Sequence, residues 1–389
     1  MTRPAGPMTL LDRWEALGRP LAHLPRWAAG LVLVLLAAAM VWSVSAANAV
    51  DAAERGRIAA KAQAEAKTAS ATAAAKPKSA DKGKGDLALY DRIAARVAAG
   101  EGYYAAAMDE QRSSNYPTRP FVAVRQPTLA WLQALIGVGG VRYLEMGLVL
   151  ACLWAANSRL TGRVAVPERL AALLVLMLGG AAVIVPSAGL IHELWAGLWL
   201  TLALLLYRPE RWWPALLAAA AALAVRELAV PFVMLWLVFA MAGQRWREAA
   251  GIAGLLVLFA GGMVLHALAV EAGRLPGDPA SQGWDAMIGY GLPLMALARL
   301  TGLLLLPLSL AAPLAILPLV GWAAIGGRLG LFALLWCGGM STMTALFARP
   351  ENFYWTQLVL PAYGIGMAFA PRGIGELVAR AAGKVPLSS

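Results

Sequence analysis

Long apolar runs separated by short polar breaks dominate this chain. An α-helix rises 1.5 Å per residue, so about 20 apolar residues cross a hydrocarbon core of about 30 Å. The runs fall at about Trp27–Ala47, Val141–Asn157, Leu170–Val185, Leu194–Tyr207 and Trp212–Val225, then at Leu228–Ala242, Ala249–Val270, Leu297–Trp322, Leu329–Phe347 and Tyr354–Ala370. From Thr128 to Asn157 the apolar sequence is broken at Gly137-Val138-Gly139-Gly140. The break predicts a short helix over Thr128–Ile136 in the membrane interface, with the crossing beginning at Val141. The expected fold is an all-α polytopic membrane protein with about 10 transmembrane helices and a large first extracytoplasmic loop carrying interfacial helices. Strands of about ten alternating residues, which a membrane β-barrel needs, are not present.

Charge sets the expected orientation. Of the 389 residues, 60% are hydrophobic and 14% charged, against roughly 25% charged in a soluble domain. The formal charge of +11 does not point to nucleic acid, because most arginines sit in the breaks between apolar runs, as the positive-inside rule requires. Arg3, Arg13, Arg19 and Arg26 place the N-terminus in the cytoplasm. Ten crossings put Arg159/Arg163/Arg169, Arg208/Arg211, Arg245/Arg247, Arg328 and Arg372/Arg380/Lys384 on that same side. Both termini are then cytoplasmic, and the expected location is a bacterial inner (cytoplasmic) membrane. The resulting segments are 1–26 (cytoplasmic), 27–47 (first crossing), 48–140 (extracytoplasmic loop), 141–370 (remaining crossings) and 371–389 (cytoplasmic tail).

Two stretches qualify this picture. Ala47-Asn48-Ala49 has the small-x-small form of a signal-peptidase site, but the leader of about 26 residues before the first run is long for a signal peptide, and an uncleaved anchor is the preferred reading. Ala52–Gly85, rich in Ala, Lys and Ser, reads as a flexible linker or frayed helix, a solvated spacer without chemistry. Cys152 and Cys337 lie in apolar runs and read as buried thiols. Without a C-x-x-C or H-E-x-x-H pattern, no metal site and no cofactor is expected.

Five polar segments face outward together in this topology: the long first loop, Ser187–Glu193, Arg226-Glu227, Arg274–Pro293 and Arg349–Trp355. The first loop carries the densest chemistry. Asp86 and Tyr90 are four residues apart and share a helical face; Gly100-Glu101-Gly102-Tyr103-Tyr104, Tyr116-Pro117 and Val124-Arg125-Gln126-Pro127 follow. An ionised carboxylate at the outer surface can act as general base on a sugar or lipid hydroxyl, whereas the simpler structural role of Asp86 is to cap its helix. Asp91, beside Arg92, and Asp109-Glu110 are rival carboxylates whose plainer role is a solvated face. Arg226-Glu227 and His192-Glu193 stand at the outer ends of apolar runs, where charges pair locally or line a cavity. Arg349 and Tyr354 open the last run: an arginine can grip two phosphate oxygens, and tyrosine suits an interfacial belt. His266 lies within an apolar run and suits a helix–helix hydrogen bond.

Taken together, Asp86-Leu87-Ala88-Leu89-Tyr90 and Gly100-Glu101-Gly102-Tyr103-Tyr104 resemble the D-x-x-x-Y … G-x-x-Y signature of polyprenyl-phosphate-mannose-dependent mannosyltransferases, within the GT-C fold glycosyltransferases. The motif covers some twenty residues; the rest of the chain resembles the family by topology. The resemblance implies that Asp86 is the catalytic aspartate and Tyr90 its aromatic partner. The Lys/Ala-rich insert before Asp86 departs from the family, as does the distance in sequence to Asp51 and Glu54, the nearest acidic residues after the first run. Arg125-Gln126-Pro127-Thr128 corresponds only loosely to the family's proline-led helix.

The expected function is a membrane glycosyltransferase moving a sugar from a polyprenyl-phosphate donor to a lipid or glycan acceptor on the outer face, with inversion. Asp86 is the base; Tyr90, Tyr103, Tyr104, Arg125, His192, Glu193, Arg226, Glu227, Arg349 and Tyr354 are the candidate substrate-binding residues. A lipid-linked donor fits a chain without a nucleotide-binding motif. A transporter or lipid flippase of the cell envelope is the alternative; Arg142, Glu145, His266 and Arg299 are the charged or polar groups nearest run interiors. No internal repeat, common in transporters, is evident. A non-catalytic scaffold for envelope assembly is a third reading.

Overall fold

The computed structural model of the chain describes residues 8–72 and 85–384. Arg3, the later part of the Ala/Lys-rich stretch and the last residues of the tail lie outside the described residues. Among the described residues the chain is all-helical, without a strand; one isolated bridge joins Arg119 and Ala280.

Helix α1 (Leu10–Leu17) begins at a capping box in which Thr9 and Asp12 satisfy each other's backbone N–H groups. It is followed by α2 (Arg26–Thr72), 47 residues long. The expectation of a flexible linker or frayed helix from Ala52 is corrected as far as Thr72, because α2 continues through this stretch. Alanine is the best helix former, and the pairs Asp51–Arg55 and Glu54–Arg57 lie at i,i+4 and i,i+3 spacing along the helix. At this length α2 spans about 70 Å, so its polar C-terminal half stands clear of any bilayer its apolar half crosses.

The first loop contains α3 (Asp86–Ala98) and α4 (Tyr103–Ser113), packed on each other through a small core of Leu89, Ile93, Tyr103, Met108 and Val270. Helix α5 (Thr128–Leu160) changes direction at Gly137, whose φ of 72° is readily open only to a residue without Cβ. Next come α6 (Val166–Gly180), α7 (His192–Leu206), α8 (Trp213–Val225), α9 (Val230–Ala242) and α10 (Trp246–Ala272). Beyond a long connection lie α11 (Gly291–Leu300), α12 (Leu308–Leu314), α13 (Leu317–Ile325), α14 (Gly327–Phe347), α15 (Leu360–Met367) and α16 (Ala370–Ala381).

Five stretches among the described residues are long and apolar enough to cross a membrane: Arg26–Ala64, Phe121–Leu160, Trp246–Ala272, Leu308–Ile325 and Gly327–Phe347. The other apolar helices are shorter. The expected run Leu297–Trp322 is not one helix but pieces of α11, α12 and α13, with Pro307, Pro313 and Pro318 between or within them. Proline removes a backbone donor and clashes with the preceding turn. Likewise Tyr354–Ala370 begins as a 3-10 turn over Pro350–Leu358 before α15, and the run from Leu170 becomes 3-10 at Ala181.

Helix α7 is buried on all sides, as an all-round apolar helix must be. It packs on α5, α8, α15 and the 350–358 turn. An added Cβ at Gly197 would overlap the backbone oxygen of Gln357, so this glycine lets α7 meet that turn. Large apolar side chains such as Val34, Leu150 and Leu258 point outward on α2, α5 and α10, a surface suited to lipid rather than water. The two ends of the molecule differ. One holds the described residues nearest both termini, tied by Arg19–Glu376, Arg328–Asp12 and the bond from Arg380 Nε to the Leu24 carbonyl at 2.9 Å. The other holds α3, α4 and the segments 116–127, 226–229, 274–290 and 349–354.

Candidate functional site

At the end opposite the termini, five separate polar segments meet. Residues 116–120 run beside 278–281: the Thr118 N–H donates to the Pro279 carbonyl at 2.9 Å and the Ser281 N–H to the Arg119 carbonyl at 2.7 Å. Arg112 clamps the second of these segments by donating from Nε to Asp278 Oδ1 at 2.6 Å. The Arg112 hydrogen bonds, with one from the Leu275 N–H, hold the buried Asp278 carboxyl down at about 2, well below the usual range. Arg349 donates to Gln282, which joins the last segment to the others.

Between these segments lies a cavity of about 990 Å³. Asp86, Tyr90, Arg125, Arg226, Glu227, Arg349 and Tyr354 all line it, so most of the residues selected from the sequence converge in space. Asp86 is the first residue of α3, with Gly85 at the N-cap and no side-chain cap present. The capping role is therefore not the one Asp86 plays. Instead its Oδ1 accepts a hydrogen bond from the Tyr116 hydroxyl at 2.7 Å. Burial and the charge of Asp86 push the Tyr116 phenol up, so it keeps its proton and stays a donor at neutral pH. Burial pushes Tyr90 up as well.

Arg125 is the hub of the inner wall. Its Nε donates to the Tyr90 hydroxyl at 3.0 Å, its guanidinium reaches Tyr354 at 3.5 Å, and Glu193 Oε1 lies 3.6 Å away. The Tyr103 hydroxyl donates to the Arg125 carbonyl at 2.6 Å, fixing the backbone at that point. His192 stacks edge-on to Tyr90 at 4.9 Å and lines a smaller adjoining pocket with Tyr90, Tyr103 and Arg125. Tyr104 points elsewhere, to His266 Nδ1 at 3.0 Å. Because His266 Nε2 lies 3.1 Å from the Val124 carbonyl, which can only accept, Nε2 carries the proton and Nδ1 receives the Tyr104 hydroxyl. His266 is thus the interhelical tether expected of it, and it anchors the residue next to Arg125.

The cations of the cavity differ in availability. Arg226 is 2% exposed, with Nε donating to Glu193 Oε1 at 2.7 Å and a second bond to Glu227. Breaking a buried ion pair costs about 3–5 kcal/mol, so Arg226 is committed to its carboxylates. Arg349 and Arg57 have side chains 31% and 46% exposed and share Glu351 at the cavity mouth. Pairs at such exposure are worth about 0–1 kcal/mol and exchange readily for another anion.

Sequence reasoning missed two members of this site. Arg57 fell in the stretch read as a spacer; the Glu54–Arg57 pair at i,i+3 was the available sign that the stretch continues as a helix. Tyr116 stood in the quoted polar segment without a role, and no local spacing links it to a residue thirty positions earlier. Of the rival carboxylates, Asp91 and Asp109 are exposed, as a solvated face requires. Glu110 is buried against Arg92 and Arg96 at 2.8 and 3.1 Å, which corrects the solvated reading for that residue. Among the described residues no group of three or more His, Cys, Asp or Glu could hold a metal ion. No family profile, curated protein or solved structure matches the chain.

Proposed function

We propose that this chain is an integral-membrane glycosyltransferase that moves a sugar from a polyprenyl phosphate to a lipid or glycan acceptor, with the reaction on the outer face of a bacterial cytoplasmic membrane. The observation that carries this reading is a carboxylate, Asp86, lining a cavity of about 990 Å³ whose mouth holds two exchangeable arginines. The ten-crossing topology, with both termini cytoplasmic, belongs to the same proposal: it needs the shorter apolar helices and their 3-10 extensions to cross as composite segments.

In this scheme Asp86 takes the acceptor hydroxyl proton as that oxygen attacks the anomeric carbon. The bond from the anomeric carbon to the phosphate oxygen breaks on the opposite face, and the lipid phosphate leaves with the electron pair, inverting the sugar. Tyr116 aims the carboxylate through its hydrogen bond. Negative charge grows on the departing phosphate, and preorganised cations are worth most there. Arg349 and Arg57 suit that task better than Arg226, because the carboxylate they share, Glu351, is exposed and yields at little cost while Glu54 stays with Arg57. Arg125, held by Tyr90 and Tyr354, faces the cavity between them. Acidic groups nearly balance the cavity arginines, so donor binding proceeds by exchange of Glu351 for phosphate.

The test is transfer from a radiolabelled polyprenyl-phosphate sugar by purified protein in lipid. Asp86→Asn should abolish transfer with folding unchanged, and Tyr116→Phe should lower it roughly tenfold or more, the scale of one hydrogen bond to a charged group. Undiminished transfer by the Asp86 variant rejects the assignment. The transporter or flippase reading is favoured by one observation, Glu145, which is fully buried in α5 with neither carboxylate oxygen hydrogen-bonded. Counterflow in vesicles without chemical turnover would support it.

A further inference from the structure

At the end that holds the termini, one buried cation has no anion. Arg159 stands in the last turn of α5 and is 6% exposed. Its Nε has no hydrogen-bond partner, and no carboxylate forms an ion pair with it among the described residues. The charged side chains whose fields act on it most strongly are two further arginines, Arg208 beyond α7 and Arg163 beyond α5. Glu15 is the acidic group within electrostatic range, and it is occupied with Arg328: Oε2 accepts from the Arg328 N–H at 2.6 Å and lies 3.9 Å from its Nε.

Burying a guanidinium without a counter-charge costs several kcal/mol, and two like charges nearby add to that cost. The helix dipole offers some relief, since a cation at a helix C-terminus gains about 0.3–1 kcal/mol. That is too little to offset burial. Arg208 shows what such relief looks like when it is used: its Nη1 donates to the carbonyls of Leu205 and Tyr207, both at 2.9 Å. Arg159 makes no such bond. Arg19, Arg328 and Arg372 at this end each reach a carboxylate. Glu210 is exposed, in no ion pair among the described residues, and its field falls on Arg208, so no carboxylate is left to Arg159 itself.

Depth along the helix narrows the ligand. Trp154 on α5 and Trp213 at the start of α8 are both exposed, and tryptophan gathers at the level of lipid headgroups. A cluster of arginines at helix ends at that level suits an anionic headgroup, and an arginine fork matches phosphate oxygens. We propose that Arg159, assisted by Arg163 and Arg208, forms a phosphate-binding site at the membrane surface on the side of the termini, distinct from the cavity around Asp86. The bound group supplies the counter-charge that Arg159 lacks within the protein.

The experiment compares the wild-type chain with Arg159→Gln in nanodiscs of phosphatidylcholine alone, of phosphatidylcholine with phosphatidylglycerol, and of phosphatidylcholine with added potassium phosphate, following the midpoint of thermal unfolding. In phosphatidylcholine alone, whose headgroup phosphate is already neutralised by its own choline, the variant should melt higher than wild type, because it removes an uncompensated charge. Phosphatidylglycerol should raise the wild-type midpoint and leave the variant unmoved. If inorganic phosphate raises the wild-type midpoint as well as the lipid does, the site stands and its ligand is a soluble phosphate. Equal responses of both proteins to both additions overturn the proposal. Should Arg159→Gln fail to fold, the exposed Arg163→Gln serves in native mass spectrometry: it should retain phosphatidylglycerol with an affinity roughly tenfold lower, and unchanged retention overturns the proposal.

Discussion

A single hydrogen bond separates two readings of Asp86. As a helix cap it would spend its oxygens on the first backbone N–H groups of α3; as observed, it presents a carboxylate to a cavity and takes the Tyr116 hydroxyl. Local sequence cannot distinguish these roles, because Asp at the start of an apolar-periodic helix satisfies both. Arg57 and Arg226 show the same limit in opposite directions: the residue read as spacer lies at the cavity mouth, and the residue chosen to grip phosphate is held by two carboxylates. Asp278 gives a residue-scale prediction with a definite sign. Its folded value of about 2 lies below the ordinary 3.8, so the Arg112 clamp contributes stability that is complete above about pH 4 and is lost as pH falls toward 2. Pepsin cleavage within residues 274–290 should therefore rise as the pH is lowered through that window. Asp278→Asn should be cleaved equally at both ends of it.

Among the elements, α7 matters most to the site. Its buried shaft fixes His192 and Glu193 at its N-terminal end, and its contact with the 350–358 turn sets Tyr354 and Arg349 opposite them. Gly197 is the point of closest approach in that contact. Gly197→Ala should destabilise the protein by about 1–3 kcal/mol, the usual cost of overpacking, and should lower transfer along with the midpoint of unfolding in detergent. An unchanged midpoint would mean that the turn shifts freely and does not position Tyr354. Helix α2 teaches a different lesson. Ala, Lys and Ser in a long polar stretch suit a solvated linker by composition, yet alanine propensity and two spaced ion pairs continue the helix and return Arg57 to the cavity.

For the whole molecule, the polar segments sort into two ends separated by apolar helices. Native Cys152 and Cys337 are buried, so an introduced cysteine reports its own side. Asp91→Cys, on an exposed face of α3, should react with a membrane-impermeant maleimide in intact cells, whereas Arg13→Cys, exposed near the start of the chain, should react only after permeabilisation. The reverse pattern would place Asp86 inside and remove the outer-face reaction. Five stretches among the described residues meet the length for crossing; the expected runs Leu297–Trp322 and Tyr354–Ala370 carry Pro307, Pro313, Pro318 and Pro361 and are split into pieces that hydropathy alone joins. Membrane character and the grouping of the segments around Asp86 were readable because both follow from where apolar and charged residues fall along the chain.

Hydropathy and helical periodicity alone decide that this chain is helical, apolar on its outside and polar at its two ends, because one-dimensional patterns control local helix formation and partition into lipid. Which arginine is free and which is paired, whether Asp86 caps a helix or faces a cavity, and that Arg159 is buried among like charges are decided only by tertiary packing. These depend on distances between segments far apart in sequence, and electrostatic pairing falls off too steeply with distance to be read from order along the chain.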